Sequence, residues 1–246
     1  VKSDTEIIVA GGGDGTINAV VSKIIGSEKT LGVLPLGTLN HFSKDLKIPQ
    51  GLPEAVRVIA EKNTKKIDVG EVNGRIFVNN SNIGFYSNMV KDREDQQESF
   101  GRGKWSAAFW ALLKILQKHP FLSVKLINKS GKRTVRTPFV FIGNNKYEMD
   151  FFNNGSRKRL DSGKLGVYFL HKSGRKGLLA LFLRTLFGRL RQAKDFEEIG
   201  VEEITIKTHK DQILVALDGE VETLKTPLCY KIHPLALNVI VPGEET

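Results

Sequence analysis

Six residues near the start of the chain, Gly11-Gly12-Gly13-Asp14-Gly15-Thr16, constrain the fold more than any others. An apolar run over residues 6–10 leads into them. Ile17, Val20, Val21, Ile24 and Ile25 follow at helical spacing over 16–26. A short apolar run ending in glycines reads as a buried parallel strand entering a loop, and Gly26 is a natural helix stop. In such a strand–loop–helix unit the glycines let backbone N–H groups approach an anion closely. The positive end of a helix starting at Thr16 adds to the attraction. Thr16 is placed to cap that helix or hydrogen-bond a phosphate, and Asp14 to hold a divalent cation on it. The loop lacks both the Gly-Lys-Ser/Thr of a P-loop and the spacing of a dinucleotide fingerprint. A tight turn whose acidic residue faces water is the competing reading.

The same rhythm repeats once. Leu31-Gly32-Val33-Leu34 predicts a second strand, ended by Pro35. Asn40 can cap a short helix through Leu46, and residues 53–60 read as another helix with Pro53 in its first turn. Pro35-Leu36-Gly37-Thr38-Leu39-Asn40-His41-Phe42 forms a second loop at the same sheet edge as the first. Ligands of open α/β sheets bind outside these carboxyl ends. Thr38 and Asn40 offer uncharged hydrogen bonds suited to a nucleotide. A structural turn with Asn40 as a plain cap is the alternative, and His41 alone carries no weight.

The character changes near residue 64. Residues 66–78 read as two strands around the Asn73-Gly74 turn. Further strands are expected at 121–127, 133–143, 164–170, 201–207, 213–217 and 228–232, mostly bounded by Gly, Asn or Asp. That spacing suggests an antiparallel, β-rich second domain, interrupted by helices near 103–118 and 174–192. Residues 91–98 carry both charge signs and read as an exposed loop or helix end.

Thirty-seven Lys and Arg against 27 Asp and Glu give the 246-residue chain a net charge of +10, which favours anionic partners. The single cysteine, Cys229, excludes a disulfide framework and multi-cysteine metal sites. No zinc-finger spacing or aromatic RNA-binding motif is present, so no specific nucleic-acid partner is expected. No apolar stretch approaches the ~18 residues that span a bilayer. Residues 171–194 hold seven Lys or Arg and no acid, with Leu178, Leu179, Leu181, Phe182, Leu186 and Leu190 on one side. That pattern suits a basic amphipathic helix on an anionic membrane, and equally a helix packed on the second domain. Trp105 and Trp110 suit an interface or a core. Arg157-Lys158-Arg159 is a basic cluster that faces phosphates, an acidic headgroup or plain solvent.

Gly12-Gly13-Asp14-Gly15-Thr16 together with Pro35-Leu36-Gly37-Thr38-Leu39-Asn40 resembles the catalytic domain of diacylglycerol kinases and the related bacterial lipid kinases and sphingosine kinases. Leu217-Asp218-Gly219-Glu220 looks like their late D-G-E motif. Asp68-Val69-Gly70, Asn80-Ser81-Asn82-Ile83-Gly84 and Leu160-Asp161-Ser162-Gly163-Lys164-Leu165 fall in the family's order. The resemblance runs from about residue 6 to about 240.

It implies an α/β ATP-binding domain with an open, mostly parallel sheet over 1–64. A β-rich, sandwich-like lipid-substrate domain with two helices would span 65–232, and residues 233–246 would return to the first domain. It implies ATP and Mg2+ as cofactors. Gly12, Gly13, Asp14, Gly15 and Thr16 would contact phosphates and magnesium, with Thr38 and Asn40 on the nucleotide side. Glu220 would be the base at a lipid hydroxyl, with Asp218 beside it. The expected activity is phosphorylation of diacylglycerol or a related glycerolipid at an anionic membrane, by a cytoplasmic, peripherally associated protein. A homodimer stays open.

The Asp-Gly-Glu stretch is also hairpin grammar, and the two readings are compatible. Three departures stand out. The family's upstream strand–helix unit with its Asn-Pro-x-Ser-Gly loop has no counterpart. The chain also lacks an initiator methionine, so it is expected to be a fragment. Ala19 stands where many members carry glutamate. Ser162 stands where an aspartate helps hold a structural magnesium, which leaves Asp161 as a weak candidate ligand. Two other functions remain open: a kinase of soluble NAD, and a non-catalytic lipid- or nucleotide-binding relative.

Overall fold

The computed structural model describes residues 4–84, 121–148, 157–170 and 196–243. The expected helices near 103–118 and 174–192, the charged run 91–98 and both tryptophans lie outside these residues. The N-terminal part runs β1 (Ile7–Gly12), α1 (Asp14–Ile24), β2 (Thr30–Pro35), α2 (His41–Asp45) and α3 (Leu52–Glu61). Strands follow: β3 (Thr64–Val72), β4 (Arg75–Phe77), β5 (Asn80–Gly84), β6 (Leu122–Asn128), β7 (Gly131–Thr137), β8 (Phe139–Asn144) and β9 (Leu165–Leu170). The last are β10 (Phe196–Val201), β11 (Glu203–Lys207), β12 (Gln212–Leu217), β13 (Glu220–Lys225) and β14 (Leu228–Ile240).

The strands form two sheets. The first has the order β1-β2-β14-β11-β6-β7, with β3 along β14 and β4 beyond β3; the second runs β10-β9-β8-β5-β12-β13. Among the named strands, the parallel ladders are β1 with β2 and β2 with the end of β14, and the remaining ladders are antiparallel; one isolated parallel bridge joins Asn145 and Leu165. The fold is therefore two-sheeted and largely β, with few helices. The parallel part is small because only the β1–α1–β2 crossover supplies the connection that a parallel pair needs.

Proline explains where the strand expectations miss. The single strand expected at 133–143 is broken at Pro138, so β7 stays in the first sheet and β8 enters the second. A residue with no N–H cannot continue a ladder. Expected strand 201–207 also divides between the sheets, but without a proline: Val201 ends β10 in the second and β11 begins at Glu203 in the first. Conversely, β14 runs eight residues past its expected end at Ile232. Pro234 sits in a bulge where the register on β3 shifts between His233 and Leu237, and pairing then resumes. The first half of this long strand pairs with β11 and its end pairs with β2, which joins the two halves of the first sheet.

Two apolar clusters follow from the alternation. Val124, Leu126, Ile204, Ile206, Leu228 and Tyr230 of the first sheet belong to one core with Ile83, Val140, Ile142, Val167, Phe169 and Val215 of the second. Ile17, Val21 and Ile24, at helical spacing on α1, join Ala10, Leu31, Val33, Phe42, Val69 and Val239 in the other. Burying each such aliphatic side chain stabilises by about 1.5–3 kcal/mol. α1 therefore sits firmly on β1, and its N-terminus is fixed at the sheet edge.

Candidate active site

α1 begins at Asp14, two residues before the expected start, with Gly13 at the N-cap and no side chain capping it. Thr16 is therefore in the first turn and exposed, and it is not the cap. An uncapped helix start behind a glycine loop presents N–H groups and a partial positive charge to an anion. The second loop meets the first backbone to backbone, because a side chain on Gly37 would fall onto the Cα of Gly13. A small cleft between them is lined by Gly12, Gly13, Asp14, Pro35, Asn40 and Ser43. Thr38 lies exposed at the turn, between Leu36 and Leu39, which are about 59% and 60% exposed.

Asn40 does not cap α2 as expected. Its backbone is left-handed at φ 51°, and its side chain makes no cap bond. Instead its amide Nδ2 donates to Pro35 O at 3.2 Å, Gly37 O at 2.8 Å and Gln50 Oε1 at 3.3 Å. These three acceptors orient the amide, and its buried Oδ1 has no donor among the described residues. Asp14 takes over the cap. Its carboxylate accepts from His41 N at 3.1 Å and Phe42 N at 2.9 Å, the first two residues of α2. Asn79 Nδ2 donates to the same carboxylate at 3.2 Å. Asp14 thus ties α1, α2 and the β4–β5 connection together; it is not a free loop-tip acid.

The late motif comes to the same place. Asp218 and Gly219 form the two-residue turn of the β12–β13 hairpin, at φ 49° and 96°, a left-handed pair that Asp-Gly favours. Asp218 Oδ2 accepts from Val78 N at 2.8 Å, and Oδ1 from Asn79 N at 2.8 Å and Asn80 N at 2.9 Å. Burial pushes this carboxyl up to about 6, against the lowering pull of those backbone donors and of Arg157. Glu220 is exposed, and its carboxylate lies on the first turn of α1: a methyl on Gly15 would come within 2.5 Å of Oε1.

Arg157 overturns the reading of its cluster. It is only 4% exposed. Its Nε donates to Asp45 Oδ2 at 2.7 Å and its backbone N to Asp45 Oδ1 at 3.2 Å. Nη1 donates to Val78 O and Asn144 O at 2.7 and 2.9 Å, and Nη2 to Asn79 Oδ1 at 2.9 Å. Burial opposes its charge, and the Asp45 carboxylate beside it is among the neighbours that outweigh this and keep its pKa raised. Lys158 and Arg159 are the surface members, paired with Glu148 and Asp161. Asn79 was not legible as a site residue, and Arg157 was so only as one member of a basic cluster. Asn79 is half of an unremarkable Asn doublet, and Arg157 is masked by its basic neighbours.

Asp161, the weak magnesium-ligand candidate, is paired with two cations. Its carboxylate accepts from Arg159 Nε at 2.9 Å and pairs with Lys65 Nζ at 3.2 Å. Burial works to raise its pKa, and the two cations bring it below the ordinary value. Ser162 Oγ accepts from Asn145 Nδ2 at 2.9 Å, and that amide also donates to the buried Asp68 at 2.7 Å. Among the described residues, no three or more His, Cys, Asp and Glu side chains gather as a metal site. No described helix is long and apolar enough to cross a membrane.

A glycine loop at an uncapped helix start is faced by the Glu220 carboxylate on a rigid hairpin, an arrangement that can receive an anion beside a carboxylate. Residues 1–72 match the model of the diacylglycerol kinase catalytic domain. A diacylglycerol kinase of Staphylococcus haemolyticus is 43% identical over 81 residues, which take in 32% of this chain and 24% of that protein. The corresponding protein of Staphylococcus carnosus is 41% identical over 81 residues, 32% of this chain and 26% of its own. The matched stretch is thus about a quarter of the curated relatives' length.

Solved structures extend the likeness to nearly the whole chain. A putative diacylglycerol kinase from Bacillus anthracis superposes with a TM-score of 0.72 at 23% identity, over 97% of this chain and 79% of that one. Yeast NADH kinase superposes at 0.58 with 12% identity, over 98% and 63%. At these identities the likeness is one of fold.

Proposed function

We propose that the chain is the catalytic part of an ATP-dependent lipid kinase, which transfers the γ-phosphoryl group of ATP to a hydroxyl of diacylglycerol or a related glycerolipid. The observation that carries this reading is the placement of the Glu220 carboxylate on the first turn of α1, against Gly15. The phosphate loop and the candidate base thereby share one site, although Gly15 and Glu220 are 205 positions apart in sequence. The curated relatives named diacylglycerol kinase support the same class.

In this reading, Gly12, Gly13, Gly15 and Thr16 hold the phosphates through backbone N–H groups and the helix start. Asn40 Oδ1, buried without a donor among the described residues, accepts from a nucleotide hydroxyl or amino group. Asp14 Oδ2, whose one hydrogen bond among the described residues is the 3.1 Å bond from His41 N, would hold ATP-bound magnesium. That ion supplies charge neutralisation on the phosphates. Glu220 takes the proton of the lipid hydroxyl while its oxygen bonds to the γ-phosphorus and the bond to the ADP oxygen breaks. Asp218, held by the Val78, Asn79 and Asn80 amides, fixes the hairpin that carries Glu220 and stands beside it.

The finer architecture belongs to the same proposal. Residues 1–64 form the nucleotide domain with its parallel strands, 65–232 the lipid-substrate domain, and the end of β14 with the residues to 246 returns to the first. Association with an anionic membrane surface from the cytoplasm follows from the net charge of +10 and a lipid acceptor. The test is labelled-phosphate transfer from Mg-ATP to diacylglycerol, sphingosine and ceramide in mixed micelles, with NAD as soluble acceptor. Transfer to one lipid, lost in Glu220→Gln, supports the reading. Transfer to NAD alone, or to nothing, overturns it.

A further inference from the structure

On the lipid kinase reading above, we propose that Arg157 is a positioning residue, which sets the phosphate loop and the Glu220 hairpin in register through Asn79. The Arg157 side chain in its pair with Asp45 has no exposed surface. One planar guanidinium spans a carboxylate of α2, the backbone carbonyls of Val78 in the β4–β5 connection and of Asn144 at the end of β8, and the Asn79 side chain, all within 2.9 Å. It also lies over the Tyr147 ring at 5.3 Å.

Asn79 is where the two halves of the site are joined. Its Oδ1 accepts from Arg157, its Nδ2 donates to Asp14, and its backbone N–H donates to Asp218. Asp14 in turn holds the start of α2, whose last residue, Asp45, grips Arg157. The hydrogen bonds therefore close a ring: Arg157, Asn79, Asp14, α2, Asp45 and back. Asp218, and with it the Glu220 turn, hangs on the same Asn79 backbone. A lysine has the charge but not the fork, so it cannot satisfy Asp45, Val78 and Asn79 together.

The experiment uses four single variants, with kinetics normalised to folded protein, and amide hydrogen exchange. Arg157→Lys is expected to lower kcat roughly 10- to 100-fold, as for a small misplacement of reacting groups, with the KM for ATP little changed. Asn79→Ala, which leaves the Asp45 pair intact, is expected to do the same, and the double variant to be no worse than either single one. In both, the amides of Phe42 and of Val78 and Asn80 should exchange faster together. Lys158→Met, next in sequence but exposed, should behave as the unaltered chain.

Unchanged kcat per folded molecule, multiplying effects in the double variant, or faster exchange at only one of the two amide sets would overturn the proposal. Should Arg157→Lys fail to fold, Asn79→Ala carries the same expectations. If the unaltered chain phosphorylates no lipid, the kinase reading fails, and the exchange data still decide whether Arg157 couples the two motifs.

Discussion

Gly13 and Gly37 meet with no room for a side chain between them: a Cβ on Gly37 would fall onto the Cα of Gly13 and 2.7 Å from Asn40 Oδ1. Gly37→Ala must therefore part the two loops or turn Asn40 away from its three acceptors. Overpacking of this kind destabilises by about 1–3 kcal/mol. The expected result is a thermal midpoint lowered by a few degrees and nucleotide affinity reduced in the same variant. An alanine at 37 that binds nucleotide normally would show that the contact between the loops is incidental.

Gly15 and Glu220 separate chemistry from stability. Glu220 is exposed, so Glu220→Gln should leave the unfolding midpoint within about 0.5 kcal/mol of the unaltered chain. Loss of a general base lowers turnover by roughly 10²- to 10⁴-fold. Gly15→Ala suits the helix backbone, since Gly15 is not among the positive-φ residues, but it displaces the Glu220 carboxylate. Its stability should hold or rise slightly while kcat falls roughly 100-fold. Denaturant melts and steady-state kinetics on both variants check this; full activity in either removes Glu220 from the chemistry.

Asp218 predicts a pH effect of definite sign. Its carboxyl is pushed by burial from 3.8 up to about 6. Between those values the native chain binds a proton that the unfolded chain has lost. The contribution of Asp218 to stability is therefore complete below about pH 4 and disappears as pH rises through about 6. The change is on the order of 2–3 kcal/mol. Glu71, held below its ordinary value against burial by His233 and Lys231, works in the opposite direction and loses its contribution as pH falls. The overall curve mixes the two, so the residue itself must be read. Carbon NMR of the Asp218 carboxyl should give a midpoint near 6, and a midpoint below 4 would mean that the three backbone N–H donors win over burial.

What the sequence disclosed followed from local chemistry. A glycine loop, an Asn-Gly turn and an Asp-Gly turn each announce a backbone conformation through the residues that can adopt it. β1, α1, the β3–β4 hairpin and the β12–β13 hairpin were all foreseeable for that reason. The polar ring was not. Asn79, Arg157 and Asp45 are unexceptional in their own neighbourhoods, and they matter only because the two sheets bring residues 45, 79 and 157 together. The role of Asp14 was half visible: its motif marked it as functional, but its grip on the α2 amides depends on where the second loop folds. Pro138 and Pro234 show the same limit. Each forbids a ladder bond locally, yet one ends a strand and the other only bulges it, because β14 has partners waiting beyond the proline and β7 does not.

Asp161 supplies a test of how this chain is held together. Its carboxylate is engaged by Arg159 and Lys65, two partly exposed cations, and its serine neighbour holds the Asn145 amide. Exposed pairs of this kind stabilise by only about 0–1 kcal/mol. Asp161→Asn should therefore lower stability by no more than that, and raised salt should shrink the difference. The shift in unfolding midpoint between excess magnesium and excess chelator should be the same in the variant as in the unaltered chain, measured without nucleotide so that no phosphate-bound ion contributes. A magnesium-dependent rise in midpoint that disappears in Asp161→Asn would make this carboxylate a metal ligand after all, with Lys65 and Arg159 as the groups that the ion displaces.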